Sequence, residues 1–236
     1  MSKIKPDWLG PGYEVVQPKG YEDADILREL SGIAGFFTAF RPVPAELIEA
    51  APDLKVVARP GAGVDNIDIN AATRCGVMVC NVTGVRGRSL AEHAFFMMLY
   101  ISRNAWMKDD QETWLATPPI QLTGKTLGVV GLGDIGGNIV KIGHGFGMNI
   151  LVNTRTPDPG RVPGVDVEFV SFDEMCPRAD FIVLAMPLVP ETEGLVRSET
   201  LGKMKKSAVV VNLSRGQAIV TDDLLDLGTI SFRYRS

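Results

Sequence analysis

The residues best suited to chemistry form the run Val129-Val130-Gly131-Leu132-Gly133-Asp134-Ile135-Gly136. This G-x-G-x-x-G follows the short apolar run Thr126 to Val130 and precedes a helical pattern, the context in which the spacing reads as a dinucleotide-binding turn. Gly131 permits the tight turn from strand to helix. Gly133 lets a pyrophosphate approach the backbone, and Gly136 lets the helix pack closely on the strand. The N–H groups and positive end of the helix then face the phosphates. Asp134 and Ile135, between the second and third glycines, belong with them to the cofactor-binding set. The Asp134 charge opposes a pyrophosphate unless its side chain points away.

Other chemistry has less support. Cys75, Cys80 and Cys176 have neither metal-ligand spacing nor a paired framework, and read as reduced thiols that serve as small buried or half-buried apolar residues. No His/Cys/Asp cluster has ligand spacing, so no metal is expected. The chain of 236 residues is 45% hydrophobic and 22% charged, which suits a globular protein with a real core. A net charge of −4 argues against a nucleic-acid partner, and the basic-aromatic tail Phe232-Arg233-Tyr234-Arg235 is too short to reverse that. Met1 to Pro6 lacks the apolar stretch of a signal peptide, and the run Ala94 to Ile101 is too short to span a bilayer. A cytoplasmic location with no membrane partner follows as the expectation.

These residues must be positioned by elements. Apolar runs alternate with helical segments, the rhythm of βαβ units and parallel sheets. Strands are expected at Tyr13 to Val16, Ile33 to Phe37, Lys55 to Ala58, Val77 to Cys80, Thr126 to Val130, Asn149 to Asn153, Phe181 to Ala185 and Ala208 to Asn212. Helices are expected at Asp23 to Leu30, Ala45 to Ala50, Ile69 to Cys75, Ile135 to Gly145, Ser198 to Met204 and Asp222 to Leu227. A longer helix, residues 89–108, opens on Ser89 and Glu92 at capping-box spacing and is apolar nearly all round, so it reads as buried between two domains. The expected fold is α/β, with two Rossmann-like or flavodoxin-like domains and parallel sheets, the second incomplete at its C-terminal end. A substrate-binding domain covers 1–95 and a nucleotide-binding domain 96–236, with the long helix bridging them.

Four segments taken in order resemble one family. Leu54 to Asp68, Leu122 to Gly136, Ala185 to Leu195 and Val211 to Gly216 are similar to motifs of the D-isomer-specific 2-hydroxyacid dehydrogenases. The phosphoglycerate dehydrogenase-like branch is the nearest, partly because Arg59 precedes the Gly-Ala-Gly. The resemblance implies hydride transfer between a nicotinamide cofactor and a small 2-hydroxy or 2-keto acid, in a chain that forms homodimers. It implies that N–H groups near Ala62 and Gly63 hold the substrate carboxylate; successive amides in a Gly-rich turn make an anion-binding concavity. It assigns Arg215 as the catalytic arginine, able to clamp a carboxylate bidentately. Arg59 either binds a substrate anion or pairs with an acid, and Asp65-Asn66 either serves the site or caps the next segment. Met186, Pro187 and Thr192 belong to the cofactor side.

The resemblance also bears on the choice of cofactor. An NAD site carries an acid about 20 residues past the first glycine. Here Thr154 holds that position and Arg155 follows, while the first acid, Asp158, lies beyond Pro157. A hydroxyl with a guanidinium suits a 2′-phosphate, so NADP is favoured over NAD; the alternative leaves Arg155 stacked on the adenine or turned to solvent. The family's acid–base pair, a Glu and a His, lies C-terminal to the arginine motif, and nothing after Arg215 matches either. His93 and His144 are not expected to replace them. A cofactor-binding chain without turnover, or a partner subunit, is the alternative reading.

Overall fold

The computed structural model describes residues 10–18, 20, 22–107 and 111–226, and the chain divides into two units between Thr83 and Gly84. The division falls ahead of the boundary expected at residue 95.

The first unit runs α1 (Asp23–Glu29), β1 (Gly35–Phe37), α2 (Ala45–Glu49), β2 (Val56–Ala58), α3 (Ile69–Arg74) and β3 (Met78–Cys80), with the parallel strands in the order β1-β2-β3. Val57 on the central strand is fully buried, and Leu47, Ile48, Ala71 and Ala72 from the helices pack in the same core. Asp68 caps α3 by accepting from the Ala71 N–H at 2.8 Å, a role the sequence had left open for Asp65-Asn66. Past the helix Gly76 takes φ +68°, as a C-terminal glycine should. The strand expected at Tyr13 to Val16 does not form. Both residues are exposed, and among the described residues no strand pairs with them.

The second unit runs α4 (Gly87–Ser102), α5 (Gln111–Ala116), β4 (Thr126–Val130), α6 (Asp134–Gly145), β5 (Asn149–Asn153), β6 (Glu168–Phe169), α7 (Phe172–Met175), β7 (Phe181–Leu184), α8 (Ser198–Lys203), β8 (Val209–Asn212) and α9 (Thr221–Asp226). All five strands are parallel, in the order β6-β5-β4-β7-β8. The expected end of α9 at Leu227, and the tail beyond it, lie outside the described residues. Strands β4 and β7 are buried on nearly every residue, as parallel strands covered on both faces must be. Helix α7 went unread in the sequence although its signal is present. The Glu174 N–H donates to Ser171 Oγ at 3.2 Å while the Glu174 carboxylate accepts from the Ser171 N–H at 2.9 Å.

Helix α4 departs from expectation twice. It begins at Gly87, so Ser89 and Glu92 lie inside the helix and make no capping box. It ends at Ser102, with Asn104 at φ 55° shortly after; Lys108 lies outside the described residues. Nor is it buried all round. Ala91, Ala94, Phe95 and Met98 face the core, whereas Phe96, Tyr100 and Ile101 are exposed. Phe96 stacks against His93 on one side and leans on Tyr100 on the other.

Two of the four glycines in α6 are contact points. A Cβ at Gly136 would collide with the Gly131 carbonyl, and one at Gly143 would sit 2.6 Å from Leu127 Cδ2 and 3.1 Å from Ile150 Cδ1. A Cβ at Gly137 would meet only Val162, at 3.9 Å. Gly137→Ala should therefore raise the unfolding free energy by about 0.5–1 kcal/mol through helix propensity. Gly143→Ala should lower it by about 1–3 kcal/mol through overpacking. Urea unfolding of the two variants checks the opposite signs.

The foot of this sheet is tied by Asp180. Its carboxylate accepts from the Thr126 N–H at 2.8 Å and from Lys205 Nζ at 2.8 Å. Burial pushes its pKa up, but the lysine and the amide outweigh that and hold it below the usual value. A depressed carboxylate stabilises the fold above its unfolded pKa, near ~3.9, and loses that contribution as pH falls through the folded value. Asp180→Asn should flatten stability against pH below about 4 while leaving a loss at neutral pH from the missing ion pair. Unfolding midpoints measured across that range test it.

Candidate functional site

Register sets the layout of the site in the second unit. Asn153 pairs with Val130, Val130 with Leu184, and Leu184 with Asn212, so the C-terminal ends of four strands lie in one row. Backbone bonds extend the row by a residue: Gly131 N–H to Asn153 O, Ala185 N–H to Val130 O, and Leu213 N–H to Leu184 O. The loops that follow carry Thr154 and Arg155, the glycine turn, Met186 and Pro187, and Arg215. At about 4.8 Å per strand, the row spans roughly 14 Å. Ligands of open parallel sheets bind outside such carboxyl ends.

The glycine turn has the shape its spacing implies. Gly131 takes φ +96°, and a Cβ there would lie 2.8 Å from the Ala185 carbonyl oxygen. Only glycine both adopts that φ readily and permits that approach. Gly133 precedes α6, and a Cβ on it would meet nothing within 4 Å. The turn thus leaves room for a ligand in front of the first amides of a twelve-residue helix, a cradle that fits a pyrophosphate. Ile135 is half-buried against the core. The Asp134 carboxylate lies against Gly87 of α4, where a Cβ would collide with it.

In the loop after β5, Thr154 is half-buried and Arg155 exposed. Asp158 is occupied within its own turn, accepting from the Gly160 N–H at 2.9 Å and facing Arg161 Nε at 3.8 Å. Met186 is buried under the glycine turn and Pro187 is exposed. The Thr192 hydroxyl closes its own loop through the Pro187 carbonyl at 2.8 Å and the Val189 N–H at 2.9 Å.

Arg215 follows β8, half-buried, with Nη1 on the Ser214 carbonyl at 3.0 Å. Asn212 shapes the turn that carries it. Its side-chain oxygen accepts from the Ser214 N–H at 2.9 Å, and its Nδ2 donates to the Arg215 carbonyl at 2.8 Å. The Ser214 hydroxyl beside it is buried without a hydrogen-bond partner. Sequence reasoning quoted Asn212 within a motif but gave it no role. The readable signal was an amide ending an otherwise apolar strand.

In the first unit, the Gly61–Gly63 loop is held from both flanks. Arg59 donates through Nε to the Ala39 carbonyl at 3.0 Å and through Nη1 to the Gly63 carbonyl, with Asp65 Oδ1 at 3.8 Å. Asn81 Nδ2 donates to the Ala62 carbonyl at 2.7 Å. The Arg59 side chain is only 12% exposed, so it braces the loop on which Ala62 stands exposed and Gly63 half-buried. Asn66 donates to the Arg41 carbonyl at 2.7 Å.

Neither histidine lies in the row of strand ends; His93 is on α4 and His144 in the last turn of α6. Among the described residues no three His, Cys, Asp or Glu side chains group as metal ligands, and no helix is long and apolar enough to cross a membrane. Cys176 is buried, which pushes its thiol up to about 11, whereas Cys75 and Cys80 are exposed rather than buried or half-buried.

The NAD-binding domain model of the D-isomer-specific 2-hydroxyacid dehydrogenases matches residues 93–228, which include the glycine turn and Arg215. The chain belongs to this family. It is 40% identical over 204 residues to the D-3-phosphoglycerate dehydrogenase of Methanocaldococcus jannaschii, covering 84% of this chain but 37% of that protein. To the glyoxylate reductase of Thermococcus onnurineus it is 36% identical over 195 residues, 78% of this chain and 58% of that one. The D-lactate dehydrogenase of Aquifex aeolicus, solved with NAD and lactic acid, superposes with a TM-score of 0.79 at 26% identity, over 85% of this chain and 62% of that one. The chain thus spans between about a third and three-fifths of the length of these curated relatives.

Losing both Asn212 bonds should loosen the arginine turn. Asn212→Ala is expected to cost about 1–3 kcal/mol, and Asn212→Asp, which keeps the acceptor for Ser214, about half as much. Denaturant unfolding of both variants checks the order.

Proposed function

We propose that this chain is a 2-hydroxyacid dehydrogenase that binds NADP in preference to NAD and acts on a small 2-hydroxy or 2-keto acid. The observation that carries the reading is the row of four strand ends, which lines up the glycine turn, Thr154-Arg155 and Arg215 along one edge. Gly131, Gly133 and the first turn of α6 would hold the pyrophosphate, Thr154 and Arg155 the adenosine ribose, and Met186 and Pro187 the floor on the β7 side of the turn. When bound, the nicotinamide supplies or accepts the hydride.

Arg215 fixes the acid's carboxylate and polarises the adjacent carbonyl, work that suits a guanidinium held by a rigid turn. In the first unit, Ala62 and Gly63 belong to the substrate-binding set of the same proposal, with Arg59 as the brace of their loop. NADP is favoured because Asp158, the first carboxylate after β5, already serves Gly160 and Arg161. No acid therefore stands at the end of β5 to accept from a ribose diol, while a hydroxyl and a guanidinium do stand there. The homodimer and the bridging role of α4 between domains 1–95 and 96–236 belong to the same proposal.

Fluorescence titration with NADPH and NADH should show both bound, NADPH more tightly. Arg155→Ala should bring the two affinities together by weakening NADPH about tenfold, the scale of a charge-assisted hydrogen bond. Adding 2-keto acids while following nicotinamide absorbance tests the reaction, and Arg215→Ala should abolish any oxidation. Failure to bind either cofactor would overturn the proposal; binding without oxidation would overturn its catalytic half.

A further inference from the structure

A cation absent from every motif touches the glycine turn. Pro159–Arg161 forms a short 3₁₀ turn after β5, capped by Asp158, and Val162 behind it is fully buried. Val162 packs in the same core as Leu132, and lies within van der Waals reach of a Cβ placed on Gly137 of α6. This anchor holds Arg161 over the turn, where Nη1 donates to the Leu132 carbonyl at 3.1 Å. Asp158 Oδ2 faces its Nε at 3.8 Å and steadies the guanidinium from the other side.

Leu132 O and the Gly133 N–H belong to one planar peptide and point in opposite directions. A donor fixed on the carbonyl therefore fixes where the amide points. That amide sits at Gly133, the position left open for a ligand. We infer that Arg161 is a positioning residue of the dinucleotide site: it holds the Leu132–Gly133 peptide so that the Gly133 N–H faces the cofactor's pyrophosphate. The inference rests on the cofactor reading above, yet it makes a separate demand. The pyrophosphate is common to both dinucleotides, so Arg161 must serve NADH and NADPH alike. Arg155, at the ribose, must not.

The full chain is compared as Arg161→Ala, Arg161→Lys and Arg155→Ala, each checked for an unchanged unfolding midpoint. Arg161→Ala should weaken NADH and NADPH by the same factor, about tenfold for a charged donor lost from a carbonyl. Arg161→Lys should recover most of the affinity, because one carbonyl needs one donor. Without any cofactor, the order of the Gly133 N–H vector, read by 15N relaxation, should fall in Arg161→Ala and return towards the parent value in Arg161→Lys. If neither substitution alters that order or the affinities, the inference fails. A loss confined to NADPH would make Arg161 a ligand of the 2′-phosphate and also overturn it. Should the parent chain bind no dinucleotide, the cofactor reading falls, and the order of the Gly133 N–H still decides whether Arg161 sets that peptide.

Discussion

Everything at the site depends on one close approach, the passage of α6 over the turn that leaves β4. At Gly131 the backbone presses on Ala185, and at Gly136 it presses on Gly131 itself, with no room for a side chain at either place. This contact brings the start of α6 up against the end of its strand. The sheet register does the rest, since four strands that end level must put their loops side by side. Neither feature is enough alone. A level sheet with a wider turn would leave the helix amides out of line, and a tight turn on a staggered sheet would leave Arg215 away from the row.

All six elements of the first unit were legible in the sequence to within two residues, whereas α5, β6 and α7 of the second were not read. The bounds of β4 and β5 were readable to the residue, because their apolar runs are buried and turn residues flank them. Tyr13 to Val16 has strand-like residues, but period and propensity report what a segment could bury, not whether a neighbour exists to bury it. Ser89 and Glu92 have capping spacing and no cap, because the helix had already started at Gly87. Ser171 and Glu174 have the same spacing and make the cap in full. A pattern of four residues cannot choose between those outcomes; the chain on either side does.

The glycine turn could be read from sequence because a ligand-facing backbone demands a particular residue type at fixed spacing. Arg161 could not, and Asn212 offered only its type, an amide ending an apolar strand, and not its partners. Each acts through the main-chain carbonyl of another residue, and a carbonyl places no demand on the identity of its owner. Arg161 lies 29 positions from Leu132 and meets it only because β5 runs beside β4 and Val162 is buried under α6. Arg59 shows the converse. Its type and place suggest an anion reader, yet its donors are turned onto the carbonyls of Ala39 and Gly63. A guanidinium in sequence announces a charge but not which way it faces.

The placement of Asp134 has a consequence for how this chain can change. Its carboxylate occupies the space a Cβ would need at Gly87, so helices α4 and α6 meet where one residue has no side chain and the other fills the gap. Position 87 can take a side chain only if the carboxylate at 134 swings aside or is shortened, whereas shortening residue 134 demands nothing of position 87. A larger residue at 87 becomes tolerable once the carboxylate at 134 has been shortened, while the reverse order passes through a clash. The two sites form a ratchet, and the history open to this corner of the protein depends on which residue moves first.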